Sequence, residues 1–277
     1  TKFWDPTIVG KASTNENVKQ VREYFRGLFG MDDHAIIPSQ YWFFNEGISS
    51  KDFKAVFDAD IGFIRKKIES SLDYSEKSSL DLMLYYSGEG TTYKGDKVLI
   101  PYDADTTKGH TFFPVKNLYA SLAELQVIPE VGEITLFMDV DFNNAAFAQN
   151  IVKQSDIQED SKKKKKKKKK KKGEPEEPLV VLPKEIMPPE SITAFYASNT
   201  TQLTYDHPDT DNSIFTYYLL LGMRGEADNG DKEVTIAELH EYVLKHVQDK
   251  TKELYKDLPQ VPQLFSSNPD RVLYRLP

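Results

Sequence analysis

Two acidic residues stand directly after apolar segments, at points where a tight turn presents a side chain. Residues 81–86 run into Ser87-Gly88-Glu89-Gly90, whose glycines leave Glu89 as the largest presented group. A second apolar segment, residues 134–138, ends in Asp139-Val140-Asp141. Two carboxylates at the ends of such segments can share a proton or bind a divalent cation. A cysteine-based reaction by this chain is excluded, because it has no cysteine.

The charge of the chain is divided between an acidic body and one basic segment. The formal net charge is −7, although 11 consecutive lysines run from Lys162 to Lys172. Without that run, 25 basic residues (36 − 11) stand against 43 acidic ones, a balance of −18. Residues 155–190 around the run are polar, charged and proline-rich. We expect a disordered linker there, because this composition buries too little apolar surface to offset the entropy of ordering.

The lysine run has three interpretations. Its lysines would attract nucleic acid, anionic lipid or an acidic protein surface through counterion release, as an electrostatic tether. No aromatic residue interrupts the run, so such binding would be nonspecific. A self-interaction with an acidic cleft of the same chain is the second interpretation, and a low-complexity expansion without function is the third.

Composition limits the class of protein. A hydrophobic content of 39%, with 16 Phe and 15 Tyr, supports a packed core and excludes global disorder. No apolar run is long enough to cross a bilayer, and the N-terminal residues lack the layout of a signal peptide. We expect an intracellular, cytoplasmic protein, with a cytoskeletal, ciliary or organellar assembly as the alternative.

Helical and strand patterns alternate along the chain, which predicts a mostly parallel sheet covered by helices on both faces. Thr14 or Asn15 is expected to cap the first helix, and Gly30 to end it. Thr235 and Glu238 have the spacing of a capping box. The expected strands are residues 6–10, 35–38, 81–86, 97–100, 134–139, 192–197 and 271–276, and the expected helices are residues 18–29, 53–72, 115–125, 142–152, 212–223 and 235–246.

The order of these segments resembles that of caspase-like cysteine peptidases, family C14 and the metacaspases. Tyr85-Tyr86-Ser87-Gly88 is similar to the strand end before the family's catalytic histidine, and residues 99–105 are similar to the hairpin that follows. Residues 137–144 stand where the family carries its catalytic cysteine. The second half of the family is matched by three further segments: residues 213–220, 230–239 and 260–263.

The resemblance covers nearly the whole chain. It implies an α/β caspase-like fold, with a mostly parallel six-stranded sheet flanked by helices on both faces. It also implies one domain over residues 1–277. Within that domain, residues 1–154 resemble the large subunit, residues 155–190 form the linker and residues 191–277 resemble the small subunit.

The same resemblance places Glu89 where the family has its histidine base and Asp141 where it has its cysteine nucleophile. The family mechanism needs a thiolate and an imidazole that transfers protons. A carboxylate is a poor nucleophile toward an amide, because the resulting acyl product is more reactive than the amide itself. We therefore expect a pseudoenzyme with no catalytic residue. The alternatives are a re-purposed carboxylate site at Glu89 and Asp141, and two surface substitutions without function.

An acidic binding cleft is a further expectation. In relatives specific for basic residues, acidic side chains floor the substrate pocket, and Asp139 matches one of them by position. Asp103 and Asp105 are expected to line the same cleft, together with Glu89 and Asp141. Such a cleft would attract basic peptide segments without cleaving them. The alternative for Asp139 is a cap on the helix that follows it.

Neither a cofactor nor a metal is predicted. The acidic stretch at residues 226–238 lacks the glycine that a calcium loop needs at its sixth position, so an acidic turn before a capped helix is the better interpretation. The aromatic stretch at residues 41–44 and the C-terminal strand point to protein partners in a multi-subunit assembly, because the matching strand in caspases pairs between subunits.

Overall fold

The computed structural model describes residues 10, 12–31, 36, 48–58, 60, 62–72, 80–105, 108–143, 187–256 and 258–276. Several predictions lie outside these ranges wholly or almost wholly: the strands at residues 6–10 and 35–38, the aromatic stretch 41–44, the helix 142–152 and the linker 155–190. The helices and strands are, in chain order, α1 (Thr14–Phe29), α2 (Ser50–Phe57), α3 (Phe63–Leu72), β1 (Leu80–Ser87), β2 (Gly90–Tyr93), β3 (Asp96–Leu99), β4 (Phe113–Pro114), α4 (Val115–Leu125), β5 (Val131–Asp139), β6 (Ile192–Tyr196), α5 (Ile214–Leu221), β7 (Glu233–Thr235), α6 (Ile236–Tyr255), β8 (Gln263–Phe265) and β9 (Val272–Arg275).

Four described strands form the central sheet, in the order β1-β5-β6-β8. The pairs β1–β5 and β5–β6 are parallel, and β8 runs antiparallel to β6. The predicted mostly parallel sheet is therefore confirmed. Parallel strands end at the same edge of a sheet, so Ser87 at the end of β1 is paired with Asp139 at the end of β5.

Helices pack on both faces of the sheet, as the sequence predicts. On one face, Leu136 and Met138 of β5 join a core with α2, α3 and α4. On the other face, the intervening Phe137 joins a core with α1, α5 and α6. Each fully buried side chain of this size contributes roughly 1.5–3 kcal/mol through the hydrophobic effect. Strand β5 thus lies at the centre of three layers, and its C-terminal end carries Asp139.

Two smaller sheets lie beside the central one. Strands β2, β3 and β4 form an antiparallel sheet, and β7 pairs with β9. The C-terminal strand, expected over residues 271–276, is observed as β9, and it pairs with β7 in a two-stranded sheet. Strand β8, next to β6, forms one edge of the central sheet as described. No alternation of apolar residues in the sequence predicted this strand.

Helix boundaries differ from prediction in three places. Ser13 precedes α1, so Thr14 and Asn15 lie inside the helix, while Gly30 ends it in the left-handed conformation with φ of 58°. The single helix expected at residues 53–72 is two helices, because Asp58 adopts an extended backbone after α2. The capping box of Thr235 is confirmed, and its helix continues beyond the expected end to Tyr255.

Candidate functional site

The turn after β1 lies against the end of β5. The backbone amide of Gly88 donates to the carbonyl of Asp139 at 3.3 Å. A Cβ atom on Gly90 would lie 2.6 Å from Cγ2 of Val140 and 2.9 Å from the backbone oxygen of Asp141. No side chain larger than hydrogen fits at such distances, so glycine permits the close approach. The turn that carries Glu89 is therefore held beside the segment that carries Asp141.

Both carboxylates of the predicted site are buried. Glu89 is 5% exposed and Asp141 is 6% exposed, which contradicts the surface location assumed in one of the alternatives and does not test whether either acid has a function. Oδ2 of Asp141 accepts hydrogen bonds from the backbone amide of Thr204 at 3.4 Å and from its hydroxyl at 3.3 Å. The backbone carbonyl of Glu89 accepts from the hydroxyl of Tyr86 at 3.2 Å. Both acids are therefore integrated into the packed structure.

Asp139 is the centre of a buried hydrogen-bond network. It is 0% exposed, and its Oδ2 atom accepts from Nδ2 of Asn17 at 3.0 Å and from the hydroxyl of Thr216 at 2.7 Å. The hydroxyls of Ser213 and Tyr85 also donate to Oδ2, the latter at 3.4 Å. Hydrogen bonds to an ionised acceptor are about twice as strong as neutral ones. The carboxylate therefore accepts hydrogen bonds from four donors, which lie on α1, β1, α5 and the loop before α5.

Asn17 extends this network from α1. Its Oδ1 atom accepts from the backbone amide of Ser213 at 2.9 Å and from the side chain of Asn212 at 3.1 Å. The same Asn17 side chain donates to the hydroxyl of Ser87 at 3.1 Å. The network consequently joins α1, β1, β5 and the start of α5.

Asp139 lies beside the cap of α5, whereas the helix that it was alternatively expected to cap lies almost wholly outside the described residues. Ser213 is the N-cap of α5, and its hydroxyl accepts from the amide of Thr216 at 3.0 Å. Asp139 bonds to both of these residues, so it lies at the N-terminus of α5, far along the chain from the helix expected to follow it. A negative charge is stabilised at that end of a helix.

Two tyrosines beside the site remain protonated. Burial raises the pKa of Tyr85 well above its ordinary value, and the charge of Asp139 raises it further. Burial also raises the pKa of Tyr86, with an added contribution from Glu89. Both phenols therefore serve as hydrogen-bond donors at neutral pH and not as bases.

The other two acids of the expected cleft have partners of their own. Asp103 accepts from the backbone amide of Ser50 at 2.6 Å and from its hydroxyl at 3.1 Å, at the first residue of α2. Asp105 forms an ion pair with Lys108 at 2.6 Å. Together with the buried Asp139, these contacts give the three aspartates separate structural partners. Binding of a basic segment by a cleft of all five acids stays a prediction.

Sequence reasoning did not identify Lys97 of β3. This lysine is only 3% exposed, and its ammonium lies 5.3 Å from the ring centroid of Phe142 and 5.1 Å from that of Tyr196. A cation over aromatic faces is stabilised by their quadrupoles. A buried positive charge thus lies next to the residue that follows Asp141. A lysine in a short, otherwise half-apolar strand is the only sequence signal for it.

Within the described ranges, no three His, Asp or Glu side chains are grouped in a way that could hold a metal ion. The same part of the chain contains no helix with both the length and the apolarity needed to span a bilayer.

A mostly parallel sheet between two helical layers, with a glycine-bounded turn after β1 beside the end of β5, defines a caspase-like domain. The family model described as "Caspase domain" (Peptidase_C14) matches residues 12–274, and the chain belongs to that family. The predicted family and fold are thereby confirmed.

A solved structure of the same fold is the crystal structure of caspase-1 from Spodoptera frugiperda. It is similar to this chain with a TM-score of 0.53 and 13% sequence identity, over 96% of this chain and 82% of that chain. At this identity the similarity shows the fold alone. No curated protein matches the chain.

Proposed function

We propose that this chain is a catalytically inactive member of the caspase domain family, which acts as a protein-binding or structural subunit of a larger assembly. The observation that carries the proposal is the lack of any cysteine among the 277 residues. A caspase-type reaction begins with attack by a thiolate. Here the position that resembles the nucleophile is Asp141, and the position that resembles the base is Glu89.

The chemistry of a carboxylate supports inactivity toward peptide bonds. Attack by Asp141 on an amide would give a mixed anhydride, which is far less stable than the amide it replaces. The anhydride would also form beside a buried Glu89 instead of an imidazole that donates a proton to the leaving amine. Neither half of the acyl-transfer step is therefore favoured.

The surroundings of two of the buried acids support a structural role. Asp139 holds four donors, and Asp141 accepts from both the amide and the hydroxyl of Thr204. Side chains engaged in this way stabilise the contact between β5 and its neighbours. This favours a role in the fold for Asp139 and Asp141 over direct capture of a basic side chain.

Peptidase assays test the inactive half of the proposal. The purified chain would be incubated with fluorogenic peptides that carry Arg, Lys or Asp before the scissile bond, with an active caspase as the positive control. We expect no turnover above buffer, and the same result for Asp141→Ala. Turnover that Asp141→Ala abolishes would overturn the proposal and support the re-purposed carboxylate site.

Native assembly tests the binding half. If the 31.7 kDa chain is a subunit, it should elute from native extracts in a particle larger than its own mass. Elution only at the size of the free chain, over a range of salt concentrations, would contradict the proposal. Cross-linking the intact cells before lysis is the control against dissociation.

A further inference from the structure

Five aromatic side chains on α5, α6 and the loop before α5 form a continuous row. His207 lies next to Tyr217 with ring centroids 4.4 Å apart, and Tyr217 lies 5.1 Å from Tyr218. Tyr218 stacks on His246 at 5.2 Å, and His246 lies 4.3 Å from Tyr242. These distances are those of favourable ring pairs. We call these five residues the aromatic row.

The row is accessible, although its helices are well packed. Tyr217, Tyr218, Tyr242 and His246 are partly exposed, while His207 is buried. The fully buried positions of α5 and α6 are occupied by side chains such as Phe215 and Val243, while Tyr218 and Tyr242 pack against this core and are only partly buried. Adjacent, partly exposed tyrosines of this kind are enriched in the centres of protein interfaces.

The charges that act on the row are mostly negative. One ammonium and four carboxylates face it from the loops and from α6: Lys250, Asp209, Glu226, Asp249 and Glu253. The ammonium of Lys250 lies 3.4 Å from the carboxylate of Glu253, so its charge is already matched. The hydroxyl of Tyr242 donates to Glu226 at 2.6 Å, which keeps that carboxylate beside the rings.

The faces of these rings also lack a cation of their own. Among the described residues, lysine or arginine lies over Tyr24, Tyr93, Phe142 and Tyr196, but over no ring of the aromatic row. Burial lowers the pKa of His207, and the nearby Lys250 lowers it further, so this end of the row is neutral at neutral pH. An electron-rich row beside unmatched carboxylates attracts cations and repels phosphates.

We propose that the aromatic row is a docking surface for an arginine- or lysine-rich segment of a partner protein. Guanidinium groups stack on tyrosine and histidine faces, and the flanking carboxylates accept their hydrogen bonds. Nucleic acid, which also stacks on aromatic side chains, is disfavoured because its phosphates would meet Asp209, Glu226 and Asp249. The surface consists of residues other than Glu89 and Asp141 and does not depend on whether that site is inactive.

Fluorescence anisotropy with the full chain tests the proposal. The probe is a fluorescein-labelled peptide of alternating arginine and glycine. Tyr218→Leu, which keeps apolar bulk and removes the ring, should weaken binding by about threefold to tenfold. Tyr218→Phe, which keeps the ring face, should bind as well as the wild type. Asp249→Asn should weaken binding about twofold to threefold and reduce its dependence on salt.

Tyr24→Leu is the matched control, because this partly exposed tyrosine of α1 already has the guanidinium of Arg224 5.4 Å from its ring centroid. It should leave the affinity unchanged. Thermal unfolding of each variant checks that the fold is retained.

Four results with the Tyr218 variants would overturn the proposal. The first is equal peptide affinity of the wild type and Tyr218→Leu, and the second is a loss of affinity with Tyr218→Phe as large as that with Tyr218→Leu. The third is binding of an oligonucleotide that needs the Tyr218 ring. The fourth is that the chain does not bind the peptide but self-associates, and that Tyr218→Leu abolishes this self-association. Peptide binding that is weakened by Asp141→Asn but not by Tyr218→Leu would also overturn the proposal, and it would support the acidic cleft. The peptide-binding experiment therefore tests the docking surface alone. Whether the chain is catalytically inactive is decided separately by the peptidase assay.

Discussion

The hydroxyl of Thr216 donates to the carboxylate of Asp139 at 2.7 Å, across 77 positions of sequence. Both residues are 0% exposed. The bond joins the end of the central strand β5 to the first turn of α5, so the acid that the resemblance predicted to line a substrate pocket is part of the core. The bond contributes to the free energy of unfolding because it is buried, and a buried donor that lacks an acceptor destabilises the folded state.

Asp139→Ala tests that contribution directly. The substitution removes the acceptor shared by Asn17, Ser213 and Thr216 and leaves their donors buried. We expect the free energy of unfolding to fall by about 1–3 kcal/mol, the cost of leaving a buried donor without its acceptor. Urea denaturation followed by circular dichroism measures the change.

Asp96→Asn is the matched control for this measurement. Asp96 forms an ion pair with Lys116 at 2.7 Å, and both side chains are substantially exposed. Surface pairs contribute about 0–1 kcal/mol, so this variant should remain close to the wild type. Equal losses for the two aspartates would contradict the structural role of Asp139.

Gly90→Ala tests the close approach of the turn to β5. A Cβ there would lie 2.6 Å from Val140 and 2.9 Å from the oxygen of Asp141, so the turn must shift. We expect a loss of about 1–3 kcal/mol in the free energy of unfolding, the usual cost of overpacking. Gly27→Ala is the control, because nothing lies within 4 Å of its added Cβ within α1. That variant should gain about 0.5–1 kcal/mol through helix propensity, and a loss as large as that of Gly90→Ala would contradict the steric explanation.

Titration of His240 should contribute to the pH dependence of the free energy of unfolding. Burial lowers the pKa of this side chain below its ordinary value of 6.5, so the folded state binds fewer protons than the unfolded state. The stability that this difference contributes is fully present above pH 6.5 and is lost as the pH falls toward the lower folded value. The wild type should therefore lose more stability than His240→Gln between about pH 7 and pH 5.

Urea midpoints of both proteins across that range measure the effect of His240. Above about pH 7.5 the difference between the two proteins should be independent of pH, which serves as the internal control. Parallel curves over the whole range would contradict the assignment.

The run from Lys162 to Lys172 lies outside the described residues, so its role as a tether is a prediction. Removing it leaves a body with a net charge of −18, which repels polyanions. Deletion of the run should abolish binding to anionic vesicles and oligonucleotides, while the thermal unfolding temperature stays unchanged. In the full chain, binding should weaken steeply with salt, as counterion release requires. If the deletion variant binds anionic vesicles and oligonucleotides as well as the full chain, the tether interpretation is contradicted.

Periodicity predicted the long elements of the fold well. The helical spacing of Val21 and Phe25, and the apolar run ending at Asp139, reflect burial against a layer and are legible in one segment alone. The short strand β8 was not predicted, because three residues after a proline carry no alternation pattern. Its pairing with β6 is decided by contacts between residues far apart in sequence.

The candidate site was only half predictable. Residue types identified Glu89, Asp139 and Asp141, but not that they are buried. No local pattern connects Asp139 with Asn17, which lies 122 positions earlier in the chain and donates to it at 3.0 Å. Such a partner becomes visible only when α1 is packed against the ends of β1 and β5.

The sequence by itself determined that this chain has no thiol, because residue identity alone fixes which reactive groups a chain carries. Its resemblance to caspase-like peptidases predicts that Glu89 and Asp141 stand at the positions of their catalytic residues. Only the tertiary structure decided that Asp139 and Asp141 are hydrogen-bonded inside the core, and that five separate aromatic residues form one row. Burial and neighbours are properties of packing, which brings together residues that the sequence keeps apart.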